Sequence, residues 1–171
     1  MEPTIPKLLR KIAAEHSDLP AQMYKDENEN FQPVSFREFH QQVRQFAAGL
    51  KKLGVKRGDR VGLISDNRKE WFVSDIGLHC LGAADVPRGC DSNADEISFI
   101  LAHAECSLSM LENARQLEKV VEKEKKLPKL KEVIILDYYP LLINLISMPF
   151  VIYPIVLYDK IFELTIGYEF R

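Results

Sequence analysis

The sequence predicts an α/β fold in which short buried strands alternate with helices and pair in parallel, and three observations carry that reading. Four short apolar segments, Arg60 to Ser65, Ala83 to Val86, Ser107 to Leu111 and Val133 to Asp137, recur at intervals of roughly two dozen residues. The stretches between them have helical spacing, and each opens on a residue able to cap a helix. Connections of that length are crossovers, so the strands are expected to be parallel neighbours in a sheet with helices on its faces.

The elements follow in order. Ile5, Leu8, Leu9, Ile12 and Ala13 recur at helical spacing, which predicts a short amphipathic helix ending before Pro20. Met23-Tyr24 and Phe31 to Val34 then read as two short strands joined by the polar turn Asp26 to Asn30. Ser35 followed three residues later by Glu38 is a capping box, in which hydroxyl and carboxylate each satisfy an orphan backbone N–H. The helix it opens carries Phe36, Phe39, Val43, Phe46, Ala47, Leu50 and Leu53 on one stripe, and Gly54 is placed to end it in the left-handed conformation. Further helices are expected from Asn67 and Glu70 through Trp71 and Leu78 to Gly82, from Ser92 to His103, and from Asn113 to Lys126.

At Tyr138 the character changes, which divides the chain into an α/β part at 1–137 and a hydrophobic part at 138–171. Tyr139 to Tyr158 carries no charge and has the length of a bilayer span, so a C-terminal hydrophobic helical segment and a transmembrane segment at 139–158 are expected. Pro149 and Pro154 each remove a helical hydrogen bond, which favours a kinked span over a straight one. Tyr138, Tyr139 and Tyr158 would sit at the interfaces, with Lys123, Lys125, Lys126, Lys129 and Lys131 holding the α/β part on the cytoplasmic side. The same break in composition fits a change of reading frame.

Composition narrows the function classes. The 171 residues are 46% hydrophobic and 28% charged with a net charge of −2, so a globular core is expected and no cationic excess is available for nucleic acid. The lysines of Glu122 to Lys131 are interleaved with glutamates, as on a solvated helix face. Cys80, Cys90 and Cys106 lack C-x-x-C spacing and the four histidines fall at no metal-ligand interval, so neither a zinc site nor a disulfide framework is predicted. The start Met1-Glu2-Pro3-Thr4 leads into a charged helix with no signal-type apolar run, and the cytosol is the expected compartment.

A set of landmarks then falls in a familiar order. Ser35-Phe36-Arg37-Glu38-Phe39, Ala47-Ala48-Gly49-Leu50 and Leu53-Gly54-Val55-Lys56-Arg57-Gly58-Asp59-Arg60-Val61 are followed by Asn67-Arg68-Lys69-Glu70-Trp71 and Gly82-Ala83-Ala84-Asp85-Val86-Pro87. Over about residues 20–137 this series resembles the N-terminal part of the AMP-forming, adenylate-forming acyl-CoA synthetase family. The segment Val86-Pro87-Arg88-Gly89-Cys90-Asp91-Ser92 departs from the commoner pattern of that family and is closer to its bacterial long-chain fatty acid–CoA ligase branch.

The resemblance implies part of a parallel-sheet subdomain of the adenylate-forming fold. It also implies a two-step chemistry. A carboxylate attacks the α-phosphate of ATP to give acyl-adenylate, and the acyl group then passes to the thiol of coenzyme A. Such chemistry needs backbone N–H donors from a hydroxyl- and glycine-rich loop, a magnesium ion and a lysine near the reacting centre. No phosphate loop of the form Ser-Gly-Thr-Thr-Gly-x-Pro-Lys-Gly occurs in these 171 residues, and Gly54 to Asp59 lacks the ending of a P-loop.

The expectation is therefore an N-terminal fragment that does not catalyse by itself. No catalytic, cofactor-binding or metal residue is assigned, and ATP, Mg, coenzyme A and the fatty acid belong to the full-length family. Arg88 and Asp91 follow the carboxyl end of a predicted strand, where ligands bind in open α/β sheets, but a loop arginine and a cap at Asp91 or Ser92 explain them better. Trp71 reads as helix packing and Cys90 as an ordinary thiol. Apolar surface left uncovered on the sheet would favour self-association. The alternative reading is a non-catalytic, membrane-tethered α/β binding module.

Overall fold

The computed structural model describes residues 4–137, 151–158 and 161–164, the last two segments by their backbone. The chain divides into two compact units, one formed by Met1–Arg57 with Asn67–Ala83 and the other by Gly58–Asp66 with Ala84–Arg171.

The first unit holds helix α1 (Ile5–Glu15), strands β1 (Pro20–Lys25) and β2 (Phe31–Ser35), helix α2 (Phe36–Lys52) and helix α3 (Lys69–Leu81). The two strands form the predicted antiparallel hairpin, with Met23 opposite Pro33 and Lys25 opposite Phe31. Its turn is organised by Asp26, whose Oδ1 accepts from the amides of Asn28 and Asn30, each at 2.9 Å. The capping box of α2 is present as read. Ser35 Oγ accepts from the Glu38 amide at 3.2 Å while Glu38 Oε2 accepts from the Ser35 amide at 2.9 Å. The Ser35 amide first, and then the Ser35 hydroxyl donating to Oε2 at 2.7 Å, hold the Glu38 carboxyl below its ordinary range.

Phe39, Val43, Phe46, Ala47 and Leu50 are buried along one stripe of α2, each large side chain contributing about 1.5–3 kcal/mol by leaving water. Phe36 and Leu53, expected on that stripe, are only half-buried, because they lie at the two ends of the helix. Gly54 ends it with φ at 88°. Phe39 stacks on Phe72 of α3 with ring centroids 4.8 Å apart. Helix α3 begins later than expected. Arg68 rather than Asn67 is the flanking residue, and it makes no side-chain cap bond. Its Nε instead donates to Glu70 Oε2 at 2.7 Å, keeping a buried carboxylate paired. Trp71 is half-buried on this helix.

The second unit is built on a six-stranded sheet of β3 (Arg60–Ile64), β4 (Ala84–Arg88), β5 (Leu108–Leu111), β6 (Glu132–Ile135), β7 (Val151–Tyr158) and β8 (Ile161–Leu164), in the order β4-β3-β5-β6-β7-β8. Strands β3 to β7 pair in parallel, as the crossover lengths required, and β8 returns antiparallel to β7. Strand β4 closes one end of the order with Ala84-Asp85-Val86-Pro87-Arg88.

Helix α4 (Ala94–His103) connects β4 to β5, and α5 (Ala114–Glu122) connects β5 to β6 through a short 3-10 turn at Glu124–Lys126. The cap of α4 is Asn93, in a second capping box with Glu96, and not Asp91 or Ser92. Asn93 is the residue three before a glutamate, which is the spacing the reciprocal bond demands. Asn113 caps α5, which stops at Glu122 rather than running to Lys126.

Ile64, Ile97, Leu101, Leu111, Leu117, Val120, Val133 and Ile135 form the core of this unit. Gly62 lets it close. A Cβ there would overlap Leu101 Cδ2 of α4 and stand 2.5 Å from Ser109 Oγ on β5.

The C-terminal segment departs from the expected helix. Val151–Tyr158 is strand, registered against β6 with Ile152 beside Val133 and Pro154 beside Ile135. Its run of β-branched and aromatic residues suits a pleated strand better than a helix, where those side chains lose rotamer freedom. Among the described residues no helix is long and apolar enough to cross a membrane. The remainder of the predicted span, 139–150, lies outside the described residues.

Candidate functional site

The strand order fixes where a site is to be sought. Strand β3 lies between β4 and β5, so the chain leaves it in one direction along the sheet and returns on its other side. Such a reversal opens a crevice at the carboxyl ends of the strands, the place where ligands sit in open α/β sheets. The parallel register brings Ile64 beside both Arg88 and Leu111, so the residues that follow these three positions meet at one rim.

Side chains from four segments converge there. Glu112 Oε2 accepts from Ser65 Oγ at 3.1 Å and from the Asp66 amide at 2.9 Å, and its Oε1 accepts from Asn113 Nδ2 at 3.2 Å. Asp66 Oδ1 accepts from the Cys90 amide at 2.9 Å. From α5, Lys119 Nζ donates to the carbonyls of Cys90 and Ser92 at 2.8 and 2.7 Å. The Cys90 thiol lies within 4.8 Å of the Asp66 and Glu112 carboxylates. Burial first, and then the Glu112 carboxylate, push that thiol up to about 11.

One ligand atom from each of Asp66, Cys90 and Glu112 lies within 4.8 Å of the others, so the fold assembles a metal-capable trio that spacing along the chain does not reveal. Its chemistry fits a metal poorly. A thiol must lose its proton to ligate, and this one holds it well above neutrality, while both carboxylates already accept backbone N–H groups. The arrangement does something else. It ties the loop Gly89–Ser92 to the ends of β3 and β5 through charge-assisted hydrogen bonds.

The residues singled out by position fall differently. Arg88 is exposed and stands 3.9 Å from Glu96 Oε2, a surface pair of little energetic weight. Asp91 is exposed on the loop and belongs to no cap. Cys90 alone of the three enters the cluster. Asp66 and Glu112 carried a signal that sequence reasoning passed over, since each directly follows a predicted strand. Lys119 carried none, as it is one of many lysines on a helix.

Comparisons with known proteins agree with this sheet. The family profile described as AMP-binding enzyme matches residues 9–147. Among curated relatives, a long-chain-fatty-acid–CoA ligase of Xenopus laevis is 28% identical over 131 residues, covering 77% of this chain and 18% of that protein. A long-chain-fatty-acid–CoA ligase of Mycobacterium tuberculosis is 34% identical over 101 residues, covering 59% of this chain and 17% of that protein. The chain thus spans about a fifth of the length of these relatives. A solved structure of a putative long-chain-fatty-acid CoA ligase from Rhodopseudomonas palustris superposes with a TM-score of 0.71 at 24% identity, covering 88% of this chain and 35% of that one. An anthranilate CoA ligase solved with anthranoyl-AMP gives 0.69 at 23% identity, covering 77% of this chain and 24% of its own. At such identity these two establish the fold alone.

Proposed function

The chain belongs to the AMP-binding enzyme family, and from that premise we propose that it serves ATP-dependent, AMP-forming ligation of a long-chain fatty acid to coenzyme A. The observation that supports this reading is the naming of its relatives, which are long-chain-fatty-acid–CoA ligases in animals and bacteria alike. In this reading the 171 residues supply framework. The parallel sheet and the tied Gly89–Ser92 loop hold the front of an adenylation domain, and the hydroxyl- and glycine-rich phosphate loop that the chemistry requires is not among these residues. The cytoplasm suits such a framework.

Two assays test the reading. Purified chain is expected to give no fatty-acid-dependent ATP–pyrophosphate exchange, and exchange that tracks this polypeptide would refute the framework role. Replacing the matching segment of the Mycobacterium tuberculosis ligase with residues 1–137 is expected to preserve fatty acid–CoA ligation. A well-folded but inactive chimera would refute the functional assignment. Exposed apolar side chains, Phe31 at 65% and Phe99 at 67%, support association of the isolated chain, which size-exclusion chromatography with light scattering would detect.

A further inference from the structure

We propose that helix α1 of one copy docks on the exposed face of the β1–β2 hairpin of a second copy, an interface that does not rest on the ligase reading. Both elements belong to the first unit. Helix α1 is fastened to that unit by Leu9 and Ala13, which are buried. Ile5 and Leu8, three residues apart and so neighbours on the helix surface, lie outside the buried stripe and are 53% and 46% exposed. Lys11 follows Leu8 by three residues and Lys7 precedes Lys11 by four, so two exposed cations border this apolar pair. Neither lysine takes part in a side-chain hydrogen bond or ion pair among the described residues.

The hairpin offers the complement. Its register sets Met23 opposite Pro33 and Lys25 opposite Phe31, so these four share one face. That face is exposed, with Met23 at 53% and Phe31 at 65%, while Val34 on the other face is buried. The turn at its end carries Asp26, Glu27 and Glu29 against the single cation Lys25, whereas α1 carries Lys7, Arg10 and Lys11 against Glu15. Each patch therefore joins two exposed apolar side chains to an excess of one charge, and the excesses are opposite. Within one copy all four apolar side chains stay exposed, so the patches do not cover each other in the same chain. A second copy brings them together: Ile5 and Leu8 leave water against Met23 and Phe31, and Lys7 and Lys11 meet Glu27 and Glu29. The Lys25–Glu29 pair, 4.0 Å apart, is exposed at both ends and too weak to withhold that carboxylate.

Sedimentation velocity of the full chain tests the contact. The parent is expected to self-associate, more weakly as salt is added. Two charge reversals at exposed positions, Lys7→Glu/Lys11→Glu and Glu27→Lys/Glu29→Lys, are each expected to weaken self-association about tenfold, since each turns two attractions into two repulsions. Mixed in equal amounts the two variants are expected to associate as the parent does. In the mixture the reversed α1 of one meets the reversed turn of the other, and the unaltered α1 still meets an unaltered turn. Thermal melts by circular dichroism check that each variant folds; where a reversal does not, Gln at the same positions carries the test through loss of the salt dependence. The proposal falls if the parent remains monomeric up to its solubility limit, or if a folded reversal associates like the parent. It falls equally if the mixture associates no better than its components, or if the Gln variants keep the salt dependence of the parent.

Discussion

Replacing Gly62 by alanine tests how the second unit is packed. The added methyl would overlap Leu101 Cδ2 and lie 2.5 Å from Ser109 Oγ and 3.1 Å from Ser109 Cβ. Leu101 and Ser109 are 1% and 0% exposed, so neither has free space to enter. Overpacking of a closed core costs about 1–3 kcal/mol, and two fixed neighbours place this site at the upper end, about 2–3 kcal/mol. For a chain of this size that is a fall in Tm of about 5–10 °C.

A second substitution sharpens the test. Among the described residues Ser109 Oγ is buried with no hydrogen-bond partner, so Ser109→Ala alone is expected to stabilise by about 1 kcal/mol. It also removes the atom nearest the new methyl after Leu101. In the double variant Gly62→Ala/Ser109→Ala, the coupling is expected to be favourable by about 0.5–1 kcal/mol. Denaturant melts followed by circular dichroism measure all four corners of the cycle. A Gly62→Ala melt within experimental error of the parent would refute the close approach of α4 to β3, and additive effects would refute the contact with Ser109.

The remaining predictions concern caps, the rim and the thiols. Ser35→Ala removes the hydroxyl half of the α2 capping box and is expected to cost about 1 kcal/mol, read from the urea midpoint. Glu112→Gln removes the charge that helps hold the Cys90 proton, so that thiol should ionise below about 11 and alkylate faster at pH 9 than in the parent, as iodoacetamide kinetics would show. The same change weakens the bonds to Ser65 and Asp66, and amide exchange in Gly89–Ser92 should accelerate. Burial raises Cys106 from 9.0 to about 11. Its folded form therefore keeps a proton that the unfolded chain releases, and stability present below pH 9 is lost as pH climbs toward 11. Cys106→Ala is expected to flatten that alkaline loss of stability.

Local chemistry was legible where a few neighbouring residues decide the outcome. The Ser35–Glu38 box needs only a three-residue spacing, the Asp26 turn only its own side chain, and both stand where they were read. The strands were legible because four short apolar runs cannot hide their period, but only β3, β5 and β6 are buried; β4, read as buried too, lies at the border of the sheet with its residues exposed or half-buried. The strand order was not, since the place of β3 between β4 and β5 depends on contacts made across the whole sheet. The rim was lost for the same reason: Asp66 and Glu112 are 46 residues apart and meet only through the register of β3 with β5. The α4 cap was misplaced because Asp91, Ser92 and Asn93 are all competent caps, and only the reach of Glu96 chooses among them. The helix expected at the C-terminus gave way to a strand at Val151–Tyr158 because uncharged length was weighed above β-branched content.

Strand β4 sets a limit on how the sheet can grow. Each border of a sheet offers a row of donors and acceptors to any extended peptide that drifts past. Here Pro87 has no amide hydrogen to offer, and Asp85 and Arg88 place opposite charges on the same short strand, so an incoming chain would find its ladder interrupted at the proline. That border is therefore a poor template for recruiting a neighbouring copy into a fibre.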